Sequence, residues 1–278
     1  EMLYLKSSIT AILIGSFICL SVRTISAAEI NTLPHDYYAT VKSKNVTYDL
    51  YLNGFLISPI QDLTQITWYL RKGANQLVCH VKKYETNSSQ RFQLKFQTDK
   101  GEPESVIWKI ELNSQKSIYK KSFKLPNFKW SMPWESASSV ETISGSERTK
   151  IKNRVMNYIN ALVAGDEESL KEASSLVRRS WAAAELHNES VEAICNDFAS
   201  LFKMVWGEDS RSTVNQVERK NLKVLPSPHG DRVVLVKAST ERPLLKIGTK
   251  MPTPNPGEGD FVRHYFCMIK VEGEWYIY

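Results

Sequence analysis

The chain has 278 residues, of which 42% are hydrophobic, and its 36 Lys and Arg against 30 Asp and Glu give a net charge of +6. The apolar content suffices for a hydrophobic core and excludes a wholly disordered chain, and 12 Gly with 11 Pro exclude a collagen-like repeat. Four Cys are too few for a scaffold held together by disulfides.

The N-terminal segment 1–28 is typical of a secretory signal peptide. A single cation, Lys6, precedes the uncharged and mostly apolar run 9–22, and small residues follow up to Ala28. As a helix the run would rise about 21 Å, short of the ~30 Å hydrocarbon core of a membrane. We therefore expect cleavage before Glu29 and export to the periplasm or the medium, with no membrane span in the mature chain. An uncleaved membrane anchor is the alternative.

Segment 29–125 alternates apolar and polar residues in short runs that are bounded by turn residues. A period of two is typical of strands with one buried face. Asn53-Gly54 supplies the positive φ angles of a tight turn and predicts a hairpin that joins Leu52 to Phe55. About seven such strands without a helical stretch predict an all-β sandwich.

Segment 126–146 has no periodicity and is rich in Pro and Ser, which predicts a linker. It nevertheless contains Trp130 and Trp134. We expect these indoles to dock onto one of the domains, and exposed aromatics that bind a ligand are the alternative.

From residue 147 the apolar period becomes helical, and the sequence predicts three helices. Gly165 ends the first helix, Asp166 begins the second and Ser190 begins the third. The apolar stripe of the first helix consists of Ile151, Val155, Ile159 and Leu162. The strand-like runs that follow are 213–225, 232–239, 244–250, 261–271 and 275–278. This order predicts an α+β domain over 147–278, with three helices on one face of a curved antiparallel sheet.

Two stretches resemble known folds. The closing residues 270–277 (KVEGEWYI), after three helices, resemble the final hairpin of the nuclear transport factor two-like superfamily. That resemblance implies a cone-shaped fold in which the helices lie in the concavity of the sheet. In the first half, 52–54 (LNG) and 70–77 (LRKGANQL) resemble jelly-roll modules of the galactose-binding type, which implies the sandwich but no sugar-binding residues.

No motif for catalysis, a metal or a cofactor is recognisable in the sequence. The five His are scattered, there is no Cys-x-x-Cys pair, and no nucleophile elbow or phosphate-binding glycine loop is found. We therefore predict no metal, no cofactor and no catalytic residues. A pocket in the second domain is the remaining candidate, and its predicted residues are Tyr158, Trp181, Trp206, His264 and Tyr265. His264 would be the acid or base if the pocket were catalytic, whereas aromatics of this kind more often fill a core.

Positive charge is concentrated in the first half of the chain. Residues 29–127 contain 14 Lys and Arg against 9 Asp and Glu, whereas residues 128–278 contain 20 of each kind. Basic and aromatic side chains alternate near its end, which predicts a surface for an anionic partner. The predicted surface consists of Lys116, Tyr119, Lys120, Lys121 and Lys124. Export argues against nucleic acid as that partner, and an edge strand kept soluble by lysines is the alternative interpretation.

Cys195 and Cys267 form the candidate disulfide. Cys195 lies on the predicted third helix and Cys267 on a predicted strand, so the two meet if the helix packs on the sheet.

The sequence favours an exported, non-catalytic binding protein that recognises a protein partner or a component of the cell envelope. Two alternatives remain open. One is an immunity or inhibitor protein that neutralises a toxin or effector enzyme, and the other is a carbohydrate-binding module or an enzyme with a cone-type pocket.

Overall fold

The computed structural model of the chain divides into two compact units, and the boundary lies between Met132 and Pro133. The residues that the structure describes are 37–44, 46–57, 64–84, 91–98, 117–125, 131–176, 200, 202–204, 207–250 and 260–278. The predicted signal peptide, Trp130 and the strand predicted over 106–112 therefore lie outside the described residues. Within these ranges antiparallel sheet predominates and helices are few, so the described part of the chain is a sheet-rich α+β fold.

The first unit contains seven described strands in two antiparallel sheets, ordered β4-β1-β6 and β3-β2-β5-β7. The strands are β1 (Tyr37–Lys44), β2 (Val46–Leu52), β3 (Phe55–Leu56), β4 (Thr64–Gln65), β5 (Ala74–Tyr84), β6 (Arg91–Thr98) and β7 (Ile118–Lys124).

The hairpin predicted at Asn53-Gly54 is present. Asn53 has a φ of 52° and Gly54 a φ of 89°, and Leu52 pairs with Phe55 across the turn. Positive φ at both central residues matches the twist of the flanking strands, so this turn fixes which residues of β2 face the core. The core side of β2 and β5 is fully buried and consists of Leu50, Leu52, Leu77 and Cys79.

Residues 133–144, within the stretch predicted as a linker, belong to the second unit. They include a short 3₁₀ helix, Pro133–Ser136, whose Trp134 is only 2% exposed. The backbone N–H of Ser138 donates to the carbonyl of Lys270 at 2.8 Å. The guanidinium of Arg232 also donates to the carbonyl of Glu135. These hydrogen bonds to backbone carbonyls and the buried indole fasten the segment to the rest of the second unit.

Helix α1 (Gly145–Ala164) is present with the caps that its sequence dictates. Ser144 and Glu147 form a capping box: the Ser144 hydroxyl accepts from the Glu147 N–H, and the Glu147 carboxylate accepts from the Ser144 N–H. Gly165 ends the helix in the left-handed conformation, with a φ of 68°. All four residues of the predicted apolar stripe are buried, and the helix packs against strands of the second unit.

Helix α2 (Glu167–Ala173) is capped by Asp166, as predicted, because the Asp166 side chain accepts from the N–H of Ser169 at 3.2 Å. The second half of the predicted second helix and most of the third lie outside the described residues. Phe202 lies in a described helical turn, is buried, and makes an edge-to-face contact with Phe261 at 5.4 Å between ring centroids.

The prediction of a single sheet in the second unit is wrong for the described residues, which form two antiparallel sheets ordered β14-β13-β10-β9 and β12-β11-β8. The strands are β8 (Arg211–Gln216), β9 (Leu222–Pro226), β10 (Val233–Ala238), β11 (Leu245–Thr249), β12 (Phe261–Arg263), β13 (Tyr265–Val271) and β14 (Glu274–Ile277). Two predicted runs are broken. The run 213–225 is interrupted by a 3₁₀ turn at Arg219–Asn221, and the run 261–271 is interrupted at His264. At each break the chain passes from one sheet to the other, because the strands on its two sides pair with different neighbours.

The ion pair that joins α1 to β13 gives a pH-dependent prediction. Lys270 Nζ lies 2.9 Å from Glu147 Oε1, and the hydrogen bonds from Lys270 and Ser144 lower the pKa of Glu147 from 4.5 to about 2. A carboxylate whose pKa is lowered in the folded state stabilises the protein above its unfolded pKa and loses that contribution as the pH falls. We expect Glu147→Gln to cost up to about 1 kcal/mol of unfolding free energy at pH 7, because glutamine can still complete the capping box but cannot form the ion pair with Lys270. The difference from the native protein should shrink between pH 4.5 and about 2.

Urea unfolding at a series of pH values measures this difference. Glu141→Gln is the matched control, since Glu141 is exposed and precedes the helix. A loss for Glu147→Gln that stays constant down to pH 2 would contradict a contribution of the Glu147 charge to stability.

Candidate functional site

The predicted basic surface lies on β7, which is the last strand of its sheet within the described residues. Lys120, Lys121 and Lys124 are exposed, and Tyr119 is partly buried. Lys116 lies outside the described residues. Side chains alternate between the two faces of a strand, so Tyr119 and Lys121 lie on one face while Lys120 and Lys124 lie on the other.

The described members of the predicted surface therefore form a cationic edge rather than a flat patch. We call Lys120, Lys121 and Lys124 the lysine edge. Tyr119 pairs with Cys79 of β5, and Lys121 pairs with Leu77, so this face of β7 continues the buried side of the sheet. Tyr119 is half-buried on this face, whereas the lysines are exposed on both faces of the strand.

The structure does not bring the described residues of the predicted pocket together. Tyr158 of α1 is buried, and its ring packs edge-to-face on Phe266 at 5.5 Å between centroids. Tyr265 is the neighbour of Phe266 on β13, so its side chain points to the opposite face of the strand. His264 is exposed at the break between β12 and β13. Trp181 and Trp206 lie outside the described residues. Tyr158 is thus a core residue, as the more ordinary interpretation holds.

A concave site that the sequence did not predict lies in the second unit. It has a volume of about 520 Å³, and its lining residues are Arg148, Thr149, Lys152, Glu218, Arg219 and Lys220. We call it the basic groove. One wall is the first part of α1, and the other is the turn between β8 and β9. Four of its six residues are cations and one is a carboxylate.

Three contacts organise the basic groove. Arg148 donates from Nε to the carbonyl of Ile143 at 3.2 Å and from a terminal nitrogen to the carbonyl of Val224 at 2.6 Å. These bonds hold the guanidinium between the start of α1 and β9. On the other wall Lys220 Nζ lies 2.6 Å from a carboxylate oxygen of Glu218, which raises the pKa of Lys220. In the groove, Arg148 is thus held by backbone carbonyls, whereas Lys220 is paired with the carboxylate of Glu218.

The two described cysteines, Cys79 and Cys267, lie in different units. Cys267 is buried on β13, and Cys195 lies outside the described residues, so their bridge stays a prediction. Cys79 is buried on β5, and burial raises the pKa of its thiol to about 12, with Asp49 adding to the effect. Its neighbour His80 is half-buried and stacks edge-to-face with Tyr51 at 6.0 Å.

The Cys79 thiol should be inert in the folded protein. Only the thiolate reacts with alkylating reagents, and both burial and a pKa of about 12 keep it out of reach at pH 8. We expect no modification of Cys79 by iodoacetamide in the native chain and complete modification in guanidinium, as measured by mass spectrometry of the peptides. Rapid alkylation of Cys79 in the native state would contradict the buried position of this strand.

Within the described ranges, no three His, Cys, Asp or Glu side chains are placed to hold a metal ion together. None of the helices in these ranges combines the length and the apolar content that a bilayer span requires. Comparison of the chain with protein-family models, with curated proteins and with solved structures finds no match.

Proposed function

We propose that this chain is an exported, non-catalytic binding protein that recognises an acidic protein partner through the lysine edge of the first unit. The observation that carries the proposal is the exposure of Lys120, Lys121 and Lys124 on both faces of β7, which is the last strand of its sheet among the described residues. Export rests on the apolar run 9–22 of the sequence. A component of the envelope that carries negative charge is the other partner considered.

Recognition follows from the geometry of a terminal strand. A partner that lies along β7 meets lysines on both faces of the strand. Acidic residues of that partner could therefore pair with lysines on either side of the sheet. Complementary charges of this kind steer encounter and reject partners of like charge. The half-buried rings of Tyr119 and Phe123 add apolar contact area beside the cations.

The proposal that the protein is not catalytic rests on the surroundings of His264. In the described part of the chain, no hydrogen bond or ion pair joins this exposed histidine to a carboxylate. A general acid or base needs a group that orients it within hydrogen-bond reach of a substrate.

We also infer that the two sheets of the first unit form a sandwich, and that the two sheets of the second unit together form the curved layer of the cone-shaped arrangement that its closing hairpin resembles. The fully buried side of β2 and β5 supports the sandwich, because such a face needs a second layer. The turn at Glu272-Gly273, with φ angles of 52° and 87°, supports the closing hairpin.

The proposal is tested by charge reversal with a matched control. The triple variant Lys120→Glu, Lys121→Glu and Lys124→Glu is compared with Lys72→Glu, Lys223→Glu and Lys237→Glu, which reverses three other exposed lysines. Tagged proteins are incubated with an envelope extract of the source cells, and the retained proteins are quantified by mass spectrometry. We expect the native chain and the control to retain one acidic protein in stoichiometric amount, and the edge variant to retain about tenfold less.

Other outcomes of this experiment are equally specific. Raising the salt concentration should release the partner, because exposed charges are screened beyond about 10 Å at 0.1 M. Inhibition of a retained enzyme would identify the chain as an inhibitor. Equal retention by both triple variants would refute the role of the lysine edge, and retention of an envelope polymer in place of a protein would refute the class of partner.

A further inference from the structure

We propose that the basic groove is a binding site for a diphosphate group, carried either by a soluble compound or by the headgroup of a lipid. The groove lies in the second unit and does not depend on the lysine edge. Its volume of about 520 Å³ falls in the range of about 300–1,000 Å³ that is usual for sites of small molecules.

The charge of the groove favours two linked phosphates. Its four cations and one carboxylate leave an excess of three positive charges. A single phosphate ester carries about two negative charges near neutral pH, so two linked phosphates match this excess better than one does. Phosphate oxygens also accept several hydrogen bonds at once, which suits guanidinium groups.

The arrangement of the cations points to the same ligand. Each wall supplies one arginine and one lysine. Arg148 and Lys152 are four residues apart and therefore lie on the same side of α1, and Arg219 and Lys220 lie on the 3₁₀ turn. One phosphate would be bound at each wall, and the bridging oxygen would span the groove.

Arg148 is organised before a ligand arrives. Its two bonds to the carbonyls of Ile143 and Val224 use two of the five guanidinium N–H groups. The other donors remain for a phosphate, and less side-chain freedom is lost on binding than with a mobile arginine.

The carboxylate of Glu218 should weaken the binding of an anion, and its removal therefore tests the proposed site. Its carboxylate is exposed and paired with Lys220 at 2.6 Å, so it repels an anion and occupies one of the four cations. Removing its charge should therefore strengthen binding, whereas removing a cation from the same groove should weaken it.

The experiment is calorimetric titration of the full chain with inorganic pyrophosphate. Lys152→Gln and Arg219→Gln should each weaken binding about tenfold, and Glu218→Gln should strengthen it several-fold. Lys150→Gln is the matched control, since Lys150 is exposed on α1 but does not line the groove. It changes the net charge by the same amount as Lys152→Gln and should leave binding unchanged.

The source of the group is decided with vesicles of phosphatidylcholine that contain a prenyl diphosphate. Cosedimentation of the chain, reversed by free pyrophosphate, would support the site with a lipid ligand, and pyrophosphate binding without cosedimentation would support it with a soluble ligand. Three results would overturn the proposal: no binding of either probe, binding of orthophosphate or citrate as tight as that of pyrophosphate, or equal losses for Lys150→Gln and Lys152→Gln.

Discussion

Trp134→Ala should lower the unfolding free energy of the second unit by about 3–5 kcal/mol. Trp134 is the largest fully buried side chain among the described residues and is only 2% exposed. Its removal leaves a cavity between the segment 133–144 and the body of that unit. Small proteins are stable by about 5–15 kcal/mol, so the loss is a large part of the total.

Urea unfolding and hydrogen exchange measure this effect together. The amides of Val234 and Val236 report on the second unit, because both residues are fully buried in the middle of β10. Leu225→Ala serves as the control, since Leu225 is 39% exposed, and we expect a change within about 0.5 kcal/mol. A loss for Trp134→Ala no greater than that of Leu225→Ala would mean that this segment is a free linker.

Asn75→Ala should cost the first unit about 3 kcal/mol, because it leaves several buried polar groups unpaired. Asn75 is 1% exposed. Its side-chain oxygen accepts from Asn53 Nδ2 at 2.8 Å and from the Arg71 N–H at 2.9 Å. Its nitrogen donates to the carbonyls of Arg71 at 3.0 Å and Gly73 at 3.2 Å. The side chain thus joins the hairpin turn at Asn53 to the loop that leads into β5.

The loss of the Asn75 side chain should first loosen the hairpin turn, before it unfolds the whole unit. Hydrogen exchange should accelerate first at Gln76, whose N–H donates to the side chain of Asn53 at 2.9 Å. Asn215→Ala, an exposed position on β8, is the matched control and should change stability by less than about 0.5 kcal/mol. Equal stability of the Asn75 and Asn215 variants would contradict the hydrogen-bonded network around the turn.

Local sequence signals predicted those parts of the fold that local forces determine. The Asn-Gly turn needs no distant partner, because its φ angles follow from the residues themselves. The Gly165 cap of α1 was predicted for the same reason, whereas the Ser144 cap is equally local but was not predicted, and the helix begins two residues earlier than expected. The stripe of α1 was predicted because a period of 3.6 residues requires one buried side.

The features that the sequence did not predict depend on contacts between distant residues. The turn at Arg219–Asn221 interrupts a run that appeared continuous, and four polar residues in succession, 218–221, were its one local signal. The basic groove joins that turn to residues of α1 that precede it by about 70 positions. No periodicity encodes such a meeting.

The burial of some single side chains could also not be predicted from the neighbouring sequence. Trp134 lies in a stretch without any period, yet it is buried because the segment bonds to residues far along the chain, Asp231 and Lys270 among them. Asn75 stands in a run of turn residues, and only the meeting of two loops makes it a core residue.

Hydrogen exchange at β7 tests the central proposal most directly. The full chain is incubated in deuterated buffer alone and with the partner that the native protein retains, and exchange is followed over Ile118–Lys124 by mass spectrometry. Recognition through the lysine edge predicts slower exchange in this strand when the partner is present, with no change in the triple glutamate variant. Unchanged exchange over Ile118–Lys124 in the native complex, with slowing elsewhere, would contradict it.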